Sequence, residues 1–378
     1  MQVAQANLRN TSHVANELAA LAVIRPNLVL AFASVDLLKS VAPELALAFP
    51  EAHRLGCSTA GEISTEGVAD GTCVITAIRF DATRLVEAST ALAGMDDSRA
   101  AGQRLGAQLP PEGLRAVLVF GQGVQINGSA LLGGLSDVLG TEIPITGGLA
   151  GDGGAFQQTW VLDDSGAKSD TLVVLGLYGE QLNFCHGSFG GWSPFGPARK
   201  VTRSVSNVLF ELDGEPALEV YKRYLGEHAA ELPASGLLFP FAMLGKNHDE
   251  VGLIRTILGI DEQNGSLTLA GEINPEGYLR LMHANTDALV EGAEAAAETA
   301  KQMLAGDGQG LVLLVSCVGR KLVMGGRVDE EVEAVGEVFG QGAVLAGFYS
   351  YGEISPFSPS LECKLHNQTM TVTYIGEN

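Results

Sequence analysis

Basic residues are scarce in this chain of 378 residues, in which 23 Lys and Arg stand against 44 Asp and Glu, for a formal net charge of −21. Nucleic-acid binding depends on Lys and Arg contacts to phosphate, so this balance disfavours a nucleic-acid partner. It disfavours an anionic membrane surface for the same reason. The charge instead favours a cytoplasmic protein, or one that docks on a basic protein partner.

Cysteine pairs are missing as well. The chain has five cysteines, and no two of them form a C-x-x-C pair. A disulfide framework, a structural zinc site and covalent haem attachment through C-x-x-C-H are therefore without support. We expect reduced thiols.

Long apolar runs are also missing. The first ten residues, MQVAQANLRN, lack the apolar run of a signal peptide. The longest apolar stretches, such as Gly310–Val318, have the length of a strand and are too short to cross a membrane. We expect a cytoplasmic protein without membrane insertion.

Glycine and apolar side chains are abundant. Glycine occurs 48 times, while apolar residues make up 46% of the chain and charged residues 18%. This composition excludes a disordered chain and indicates an ordered protein with many tight turns. The length predicts two or three domains.

Three segments of the chain resemble one another. LGCSTAGEIS at Leu55–Ser64 and AGFYSYGEIS at Ala346–Ser355 share an uninterrupted G-E-I-S, and TGGLAGDGG at Thr146–Gly154 has the same glycine spacing. Before each segment lie a buried apolar strand and an amphipathic helix, and a further strand follows it. The repeated unit is helix, strand, helix, short strand, glycine loop, strand. Its copies cover about residues 1–95, 96–185 and 286–378.

These units predict an α/β protein of two lobes, with mixed sheets built from the repeats and helices packed on them. We expect an N-terminal domain at 1–185 with two units, and a C-terminal domain at 186–378 with inserted strands, a helix and the third unit. Within the insertion, His186–Pro197 is interpreted as an ordered loop. The D-E-Q-N-G segment at Asp261–Gly265 predicts a hairpin turn.

Each glycine loop carries an acid. Glu62 and Glu353 stand at the same place in two otherwise diverged copies, and Asp152 takes the corresponding place in the third. Tight turns explain the glycines, but packing does not require a carboxylate. Two roles stay open for the acids, which are capping the N–H groups of their own loop and contacting a ligand.

Seven motifs follow one another along the chain. They are GCSTAGEI at Gly56–Ile63, TGGLAGDG at Thr146–Gly153, GGW-x-P-x-G at Gly190–Gly196, ELDG-x-PALE-x-Y at Glu211–Tyr221, RTILGID at Arg255–Asp261, FYSYGEISPF at Phe348–Phe357 and HNQT at His366–Thr369. In this order they resemble the FIST sensory proteins, with N-terminal and C-terminal FIST domains in tandem. The resemblance covers nearly the whole chain, and the combined order is specific.

The resemblance implies an intracellular ligand-sensing module. Many FIST proteins carry a kinase, cyclase or methyl-accepting output domain, whereas here only Gly-Glu-Asn follows the last strand. We therefore expect the signal to leave through contact with another protein. A stand-alone tandem FIST chain is similar to the bacterial nitric-oxide-sensing subgroup. That similarity implies haem as the cofactor and a separately encoded histidine kinase as the partner.

Haem needs an axial ligand, and the chain has seven histidines. His366 ranks first, because HNQT belongs to the family pattern and follows the FYSYGE loop. His186 ranks second, because aromatic residues near it are expected to line an apolar pocket. The ligand-binding residues expected beside them are Tyr349, Tyr351, Glu353, Glu62 and Trp192.

Two other functions stay open. One is a non-haem sensor of a small polar metabolite such as an amino acid, whose charged ends the loop carboxylates and amides would hold. The other is a minor hydrolase that uses Cys57 or Ser58, with His53 nearby. No G-x-S-x-G elbow, H-E-x-x-H motif or P-loop occurs in the sequence, so we do not expect an enzyme.

Overall fold

The computed structural model describes residues 1–304, 310–357 and 362–378. The first copy of the repeat comprises β1 Gln2–Leu8, α1 Val14–Leu21, β2 Leu28–Ala33, α2 Val35–Ala48, β3 His53–Ser58, β4 Glu62–Ser64, β5 Gly67–Ala69 and β6 Cys73–Arg79. β2 is apolar and buried along its whole length, as a strand covered on both faces must be. Helix α2 packs Leu38, Val41 and Leu45 onto Val29 and Ala31 of that strand.

The second copy follows the same order. It comprises β7 Arg84–Ala91, α3 Ser98–Gly106, β8 Leu114–Gly121, α4 Gly128–Leu139, β9 Ile145–Leu149, β10 Val161–Asp163, β11 Gly166–Lys168 and β12 Thr171–Tyr178. Helix α4 begins after Asn127, whose side chain accepts the N–H of Ala130 at 3.0 Å. This contact satisfies one of the N–H groups that the first turn of a helix leaves free.

The third copy is split by an insertion. Its first strand is β13 Leu182–Phe189. The insertion comprises β14 Ser193–Pro194, β15 Arg199–Val205, β16 Val208–Leu212, β17 Glu215–Pro216, α5 Ala217–Leu225, β18 Phe241–Leu244, β19 Glu250–Arg255, β20 Ile257–Asp261, β21 Ser266–Leu269 and β22 Tyr278–His283. The copy then continues with α6 Thr286–Gln302, β23 Gly310–Cys317, α7 Val318–Met324, α8 Asp329–Phe339, β24 Ala343–Ser350, β25 Gly352–Pro356, β26 Cys363–His366 and β27 Met370–Glu377.

Each copy builds four strands of one sheet and lends a hairpin to another sheet. The first sheet has the order β1-β6-β2-β3 and continues with β10-β11 of the second copy. The second sheet, β7-β12-β8-β9, continues with β25-β26 of the third copy, and the third sheet, β13-β27-β23-β24, continues with β4-β5 of the first. The hairpin exchange is therefore cyclic. All three sheets are mixed, with β2-β3, β8-β9 and β23-β24 as their parallel pairs.

A common core lies between the three sheets. Leu30, Leu118 and Leu313, at matching places in β2, β8 and β23, belong to one buried cluster. Within the same cluster, the ring of Phe32 lies 5.5 Å from that of Phe120 and 4.8 Å from that of Phe348. The helices of each copy cover the outer face of its own sheet with a separate cluster.

The insertion forms a lobe of its own, which we call the inserted lobe. Its antiparallel strands run in the order β19-β18-β22-β15-β16-β21-β20, and α5 packs on them around a fifth buried cluster. The hairpin predicted at Asp261–Gly265 is confirmed, since β20 and β21 pair antiparallel on either side of it.

The structure confirms an α/β fold with mixed sheets built from repeated units. Gly56 and Gly347 occupy equivalent places in β3 and β24, as the repeat predicts. The expected loop at His186 is wrong, because His186–Phe189 belongs to strand β13, which pairs with β27, and the loop begins only at Gly190. The expected domain boundary at residue 185 falls inside the same strand. The expected copy bounds are wrong as well, because each copy begins with a strand that the repeat did not show, so that the second begins at Arg84 and the third at Leu182 rather than at about 96 and 286.

Candidate functional site

The last residues of β3, β9 and β24 and the turns that follow them, which we call the glycine loops, contact one another. The N–H of Ala60 in the first loop donates to the carbonyl of Tyr349 in the third at 2.8 Å. The N–H of Gly151 in the second loop donates to the carbonyl of Ser58 in the first, also at 2.8 Å. β25, which leaves the third loop, pairs with β9. Because the hairpins are exchanged cyclically, the three loops close into a ring.

Glu62 holds the first glycine loop. Its carboxylate accepts the hydroxyl of Thr59 on one oxygen. The other oxygen accepts both the N–H and the hydroxyl of Thr72, each at 2.8 Å. Burial raises the pKa of this carboxyl, while the hydrogen bonds lower it in part. The residue thus ties the first loop to Thr72, immediately before β6, rather than capping N–H groups of its own loop.

Glu353 makes the corresponding contacts in the third loop. Its carboxylate accepts the hydroxyl of Ser350 at 2.7 Å and the N–H of Thr369 at 3.2 Å. Ser350, like Thr59 in the first loop, lies three residues before the acid. Glu353 is fully buried, and burial raises its pKa to about 8. A ligand would reach this carboxyl only if the loop opened.

Asp152 does not occupy the place of the two glutamates, which corrects the sequence-based alignment. The strand register puts Val161 at the position of Glu62 and Glu353. The reason is a longer turn between β9 and β10 in the second copy, and Asp152 lies within that turn. Its carboxylate accepts backbone N–H groups of the same turn.

The two tyrosines of the third loop have different surroundings. Tyr351 bonds through its hydroxyl to the carboxylate of Asp152, and its ring stacks on Phe156 with centroids 4.1 Å apart. Tyr349 is fully buried, and its hydroxyl donates to Glu331 at 2.6 Å. Tyr351 thus links the third glycine loop to the second, and Tyr349 links it to α8.

A cavity of about 930 Å³, the loop cavity, opens between the glycine loops, the starts of α2 and α7, and the inserted lobe. Glu62 and Asp152 line it. Lys321 of α7 reaches across it, donates to the carbonyl of Ala60 at 2.9 Å and pairs with Asp70. Most of the lining is apolar, and these charged side chains are the groups that could hold the polar ends of a small molecule.

A second cavity of about 600 Å³, the interlobe cavity, lies between the inserted lobe and the third copy. β13, α6 and the end of β26 form one wall, and β18, β19 and β22 form the other. Its polar lining side chains include His186, His366, Trp192 and Arg280, and its apolar ones include Phe189, Ile254, Met282 and Met303. Two of the apolar side chains, Phe189 and Met303, are exposed at 53% and 46%.

His366 is held in one tautomer. Its Nε2 atom lies 3.1 Å from the carbonyl oxygen of Ser355. Since a carbonyl can only accept, Nε2 carries the proton and Nδ1 keeps its lone pair. Burial, assisted by the nearby charge of Arg255, lowers the pKa of the ring to about 4. The imidazole is therefore neutral near pH 7, as a metal ligand must be.

His186 lies on β13 and faces the same cavity. Burial lowers the pKa of its ring as well. Trp192 links the two histidine segments, because its indole N–H donates to the carbonyl of Gln368 at 2.7 Å. The structure thus brings together the HGSFGGW and HNQT segments around the interlobe cavity, while the FYSYGE loop lies at the ring of glycine loops.

Sequence reasoning missed the basic residues of these cavities, Lys321 and Arg280. Lys321 follows a buried strand and belongs to no motif, and Arg280 alternates with apolar residues in β22 as any strand residue would. Only the tertiary packing gives either residue its place.

Cys57 and Ser58 are buried in the strand that leads into the first loop. Burial raises the pKa of the Cys57 thiol well above its ordinary value. The hydroxyl of Ser58 donates to the carbonyl of Gly151 at 2.6 Å and accepts the N–H of Trp160 at 2.8 Å. Neither side chain has the exposure or the activating base that a nucleophile needs.

The described residues contain no group of three or more His, Cys, Asp and Glu side chains placed to hold a metal ion. Across 1–304, 310–357 and 362–378, no helix is both long and apolar enough to cross a membrane.

Two family models match the chain. The model of the FIST N domain matches residues 27–215, and that of the FIST C domain matches residues 217–356. Together they extend from the first copy of the repeat through the inserted lobe into the third copy.

Similar proteins add little about the site. An uncharacterized protein of Methanocaldococcus jannaschii is 36% identical over 94 residues, which are 24% of this chain and 18% of that protein. The chain thus matches about a fifth of the length of this curated relative. A cyanuric acid hydrolase from A. caulinodans aligns over 100% of this chain and 99% of its own, with 11% identity and a TM-score of 0.36. A second cyanuric acid hydrolase structure aligns over the same shares with 10% identity and a TM-score of 0.35. Structural similarity at these TM-scores indicates nothing about the function of this chain.

Proposed function

This chain belongs to the FIST family, since the N-domain model alone matches half of it, and from that membership we propose a cytoplasmic sensory protein that binds a small ligand. The family carries a sensory, ligand-binding role. The binding event would be passed on through contact with another protein.

The proposed ligand site is the interlobe cavity, and the proposed ligand is haem. The observation that carries this proposal is the meeting of His186 and His366, far apart in the sequence, in one largely apolar cavity. A volume of about 600 Å³ lies within the range of cofactor sites. A haem ring also requires apolar walls, which Ile254 and Met282 provide.

The surroundings of His366 fit an axial ligand. A histidine that binds a metal donates its second ring N–H to a carboxylate or a backbone carbonyl in nearly all known sites. Nε2 of His366 makes that contact with Ser355, and Nδ1 would face the iron. When bound, haem iron supplies an open coordination position for nitric oxide, the proposed signal.

The proposed partner is a histidine kinase with a basic docking face. The net charge of −21 supports this choice, since opposite charges steer two proteins together. A ligand would change that contact only if it bound two states of the chain with different affinity.

The visible absorption spectrum of the full chain, purified after expression with haem supply, tests the haem proposal. We expect a Soret band that His366→Ala and His366→Gln abolish with little loss of thermal stability. His13→Ala, at an exposed position, is the control and should keep the band. Wild-type protein without a band contradicts haem binding. Unchanged haem content in the folded His366 variants would move the ligand to His186.

A second candidate is a small polar metabolite, such as an amino acid, in the loop cavity. The observation that favours it is the set of charged side chains, Glu62, Asp152 and Lys321, in the lining of that cavity. A stable, colourless protein whose melting temperature rises with an amino acid would support this function.

The proposal includes no enzymatic step. Cys57 is fully buried, and both hydrogen-bonding functions of the Ser58 hydroxyl are in use. A hydrolase based on these residues would first need both to become accessible.

A further inference from the structure

Arg280 is the cationic side chain of the interlobe cavity. It lies on β22 opposite Ala242 of β18, and Ile254 of β19 continues the same row across the sheet. All three side chains line the cavity. The guanidinium of Arg280 is therefore presented to the space between the lobes.

No protein group satisfies this guanidinium in the described part of the chain. Its Nε atom is buried without a hydrogen-bond partner. Two other arginines of the same lobe do have acidic partners, Arg199 with Asp213 and Arg203 with Glu211. A half-buried arginine left unpaired costs stability, because desolvation is not offset by a hydrogen bond.

The cavity also lacks the carboxylates that are abundant elsewhere. The chain has 44 acidic residues, yet none of the described residues that line the interlobe cavity is Asp or Glu. Arg255 adds positive charge near His366 from the other face of the sheet, where it bonds only to backbone carbonyls. The charged side chain among the described lining residues is thus basic, within an acidic protein.

We propose that Arg280 anchors a carboxylate of the ligand, and that the interlobe cavity takes molecules with an apolar body and a carboxylate end. A planar guanidinium binds a carboxylate through two parallel hydrogen bonds, and partial desolvation strengthens them. A single arginine among apolar walls matches one carboxylate better than a doubly charged phosphate. The exposed Phe189 and Met303 extend the apolar wall for the body of the ligand.

This inference concerns the cavity of the proposed function and rests on it for the site, but it does not depend on iron. Haem, with its two propionates, is one member of the class. Fatty acids and aromatic acids are others, and they have no need of a histidine ligand. The two claims can therefore fail separately.

Fluorescence titration of the full chain with a dansyl-labelled undecanoic acid and with its methyl ester tests the inference. We expect the acid to bind wild type at least tenfold more tightly than the ester. Arg280→Gln should weaken binding of the acid by about tenfold to a hundredfold and leave binding of the ester unchanged. Arg280→Lys should retain part of the affinity. Arg203→Gln, in a neighbouring strand, should change neither.

Thermal unfolding separates anchoring from a structural role. Arg280→Met keeps the bulk of the side chain and removes the unpaired polar atoms, so the ligand-free variant should melt at or above the temperature of wild type. A lower melting temperature, with acid binding retained, would overturn the proposal.

Other outcomes are equally decisive. Equal affinity of acid and ester for wild type overturns the inference, and so does the absence of acid binding to folded protein. Binding of the acid with the expected loss in Arg280→Gln, in a protein that takes up no haem, supports the carboxylate anchor and contradicts the haem proposal. Haem uptake that depends on His366 but tolerates both Arg280→Gln and esterified propionates supports the haem proposal and contradicts the carboxylate anchor.

Discussion

Two neighbouring side chains of the third copy are held uncharged. Glu353 of β25 and His366 of β26 face each other in register. Burial raises the pKa of Glu353 to about 8 and lowers that of His366 to about 4. Between these values both groups are neutral. Glu353 is bonded to Ser350 and Thr369, and His366 to the carbonyl of Ser355, so neither relies on an ion pair.

The raised pKa of Glu353 makes stability depend on pH. The ordinary value is 4.5 and the native value is about 8. Between them the native state binds a proton that the unfolded state has lost, so the free energy of unfolding falls as pH rises, by at most about 1.4 kcal/mol per unit. Glu353→Gln removes this slope. We expect urea unfolding at about pH 5 and about pH 8 to show that the free energy of unfolding of the variant, relative to that of wild type, is higher at the higher pH.

The control for this prediction is Glu51→Gln, at an exposed position, which should follow wild type at both pH values. A constant difference between Glu353→Gln and wild type across the range would contradict the prediction. It would mean that the native carboxyl ionises at its ordinary pKa.

Residue patterns predicted that Glu62 and Glu353 are equivalent, but they did not predict the place of Asp152 or the role of Arg280. G-E-I-S in two copies indicated equivalent positions for Glu62 and Glu353, and the register agrees. Glycine spacing alone misaligned Asp152, because spacing does not reveal that the second turn is longer. Arg280 could not be found from the sequence, since its lack of a partner is a tertiary property.

At the scale of elements, the close approach of β3, β9 and β24 to their parallel partners requires glycine at one position in each. A Cβ on Gly56 would lie 1.8 Å from the carbonyl oxygen of Ala31. Gly147 and Gly347 have the same relation to β8 and β23, at 2.0 and 1.8 Å. These are backbone contacts, which no side-chain rearrangement relieves.

Alanine at any of the three positions should therefore destabilise the protein strongly. We expect Gly56→Ala, Gly147→Ala and Gly347→Ala each to cost about 3 kcal/mol or more, because the strands must separate. Denaturant unfolding measures the cost. Gly326→Ala is the matched control, since a Cβ there meets nothing within 4 Å. A cost below about 1 kcal/mol at one position would show that its strand pair is not equivalent to the others.

Element prediction succeeded where the signal was local. The D-E-Q-N-G turn and the buried apolar strand Leu28–Ala33 are examples, since turn chemistry and continuous hydrophobicity lie within a few residues. It failed at His186–Phe189, whose glycine and aromatic content is typical of a loop. That segment becomes a strand because β27, at the far end of the chain, offers it a partner.

At the scale of the whole molecule, the repeats predicted the units but not the exchange of hairpins between them. Each hairpin lies inside its own unit in the sequence, just before the last strand, and only long-range pairing assigns it to the sheet of another copy. The fully buried pair Arg320–Glu331 also joins distant parts, since Arg320 donates to the carbonyl of Gly190 beside the interlobe cavity and Glu331 accepts from Tyr349 in the loop ring. One buried ion pair thus contacts the segments beside both cavities.

The cyclic exchange implies that no unit unfolds alone. Ile354 belongs to the third copy in sequence, yet it is buried in the core of the second, where β25 pairs with β9. Ile354→Ala should cost about 2–4 kcal/mol, as large-to-small core substitutions do. Because each sheet depends on a hairpin from another copy, hydrogen exchange should speed up in β2, β8 and β23 alike, within one thermal transition. Leu47→Ala, at a position 78% exposed, should leave all three unchanged. Loss of protection confined to β8 and β9 would instead show that the copies unfold independently.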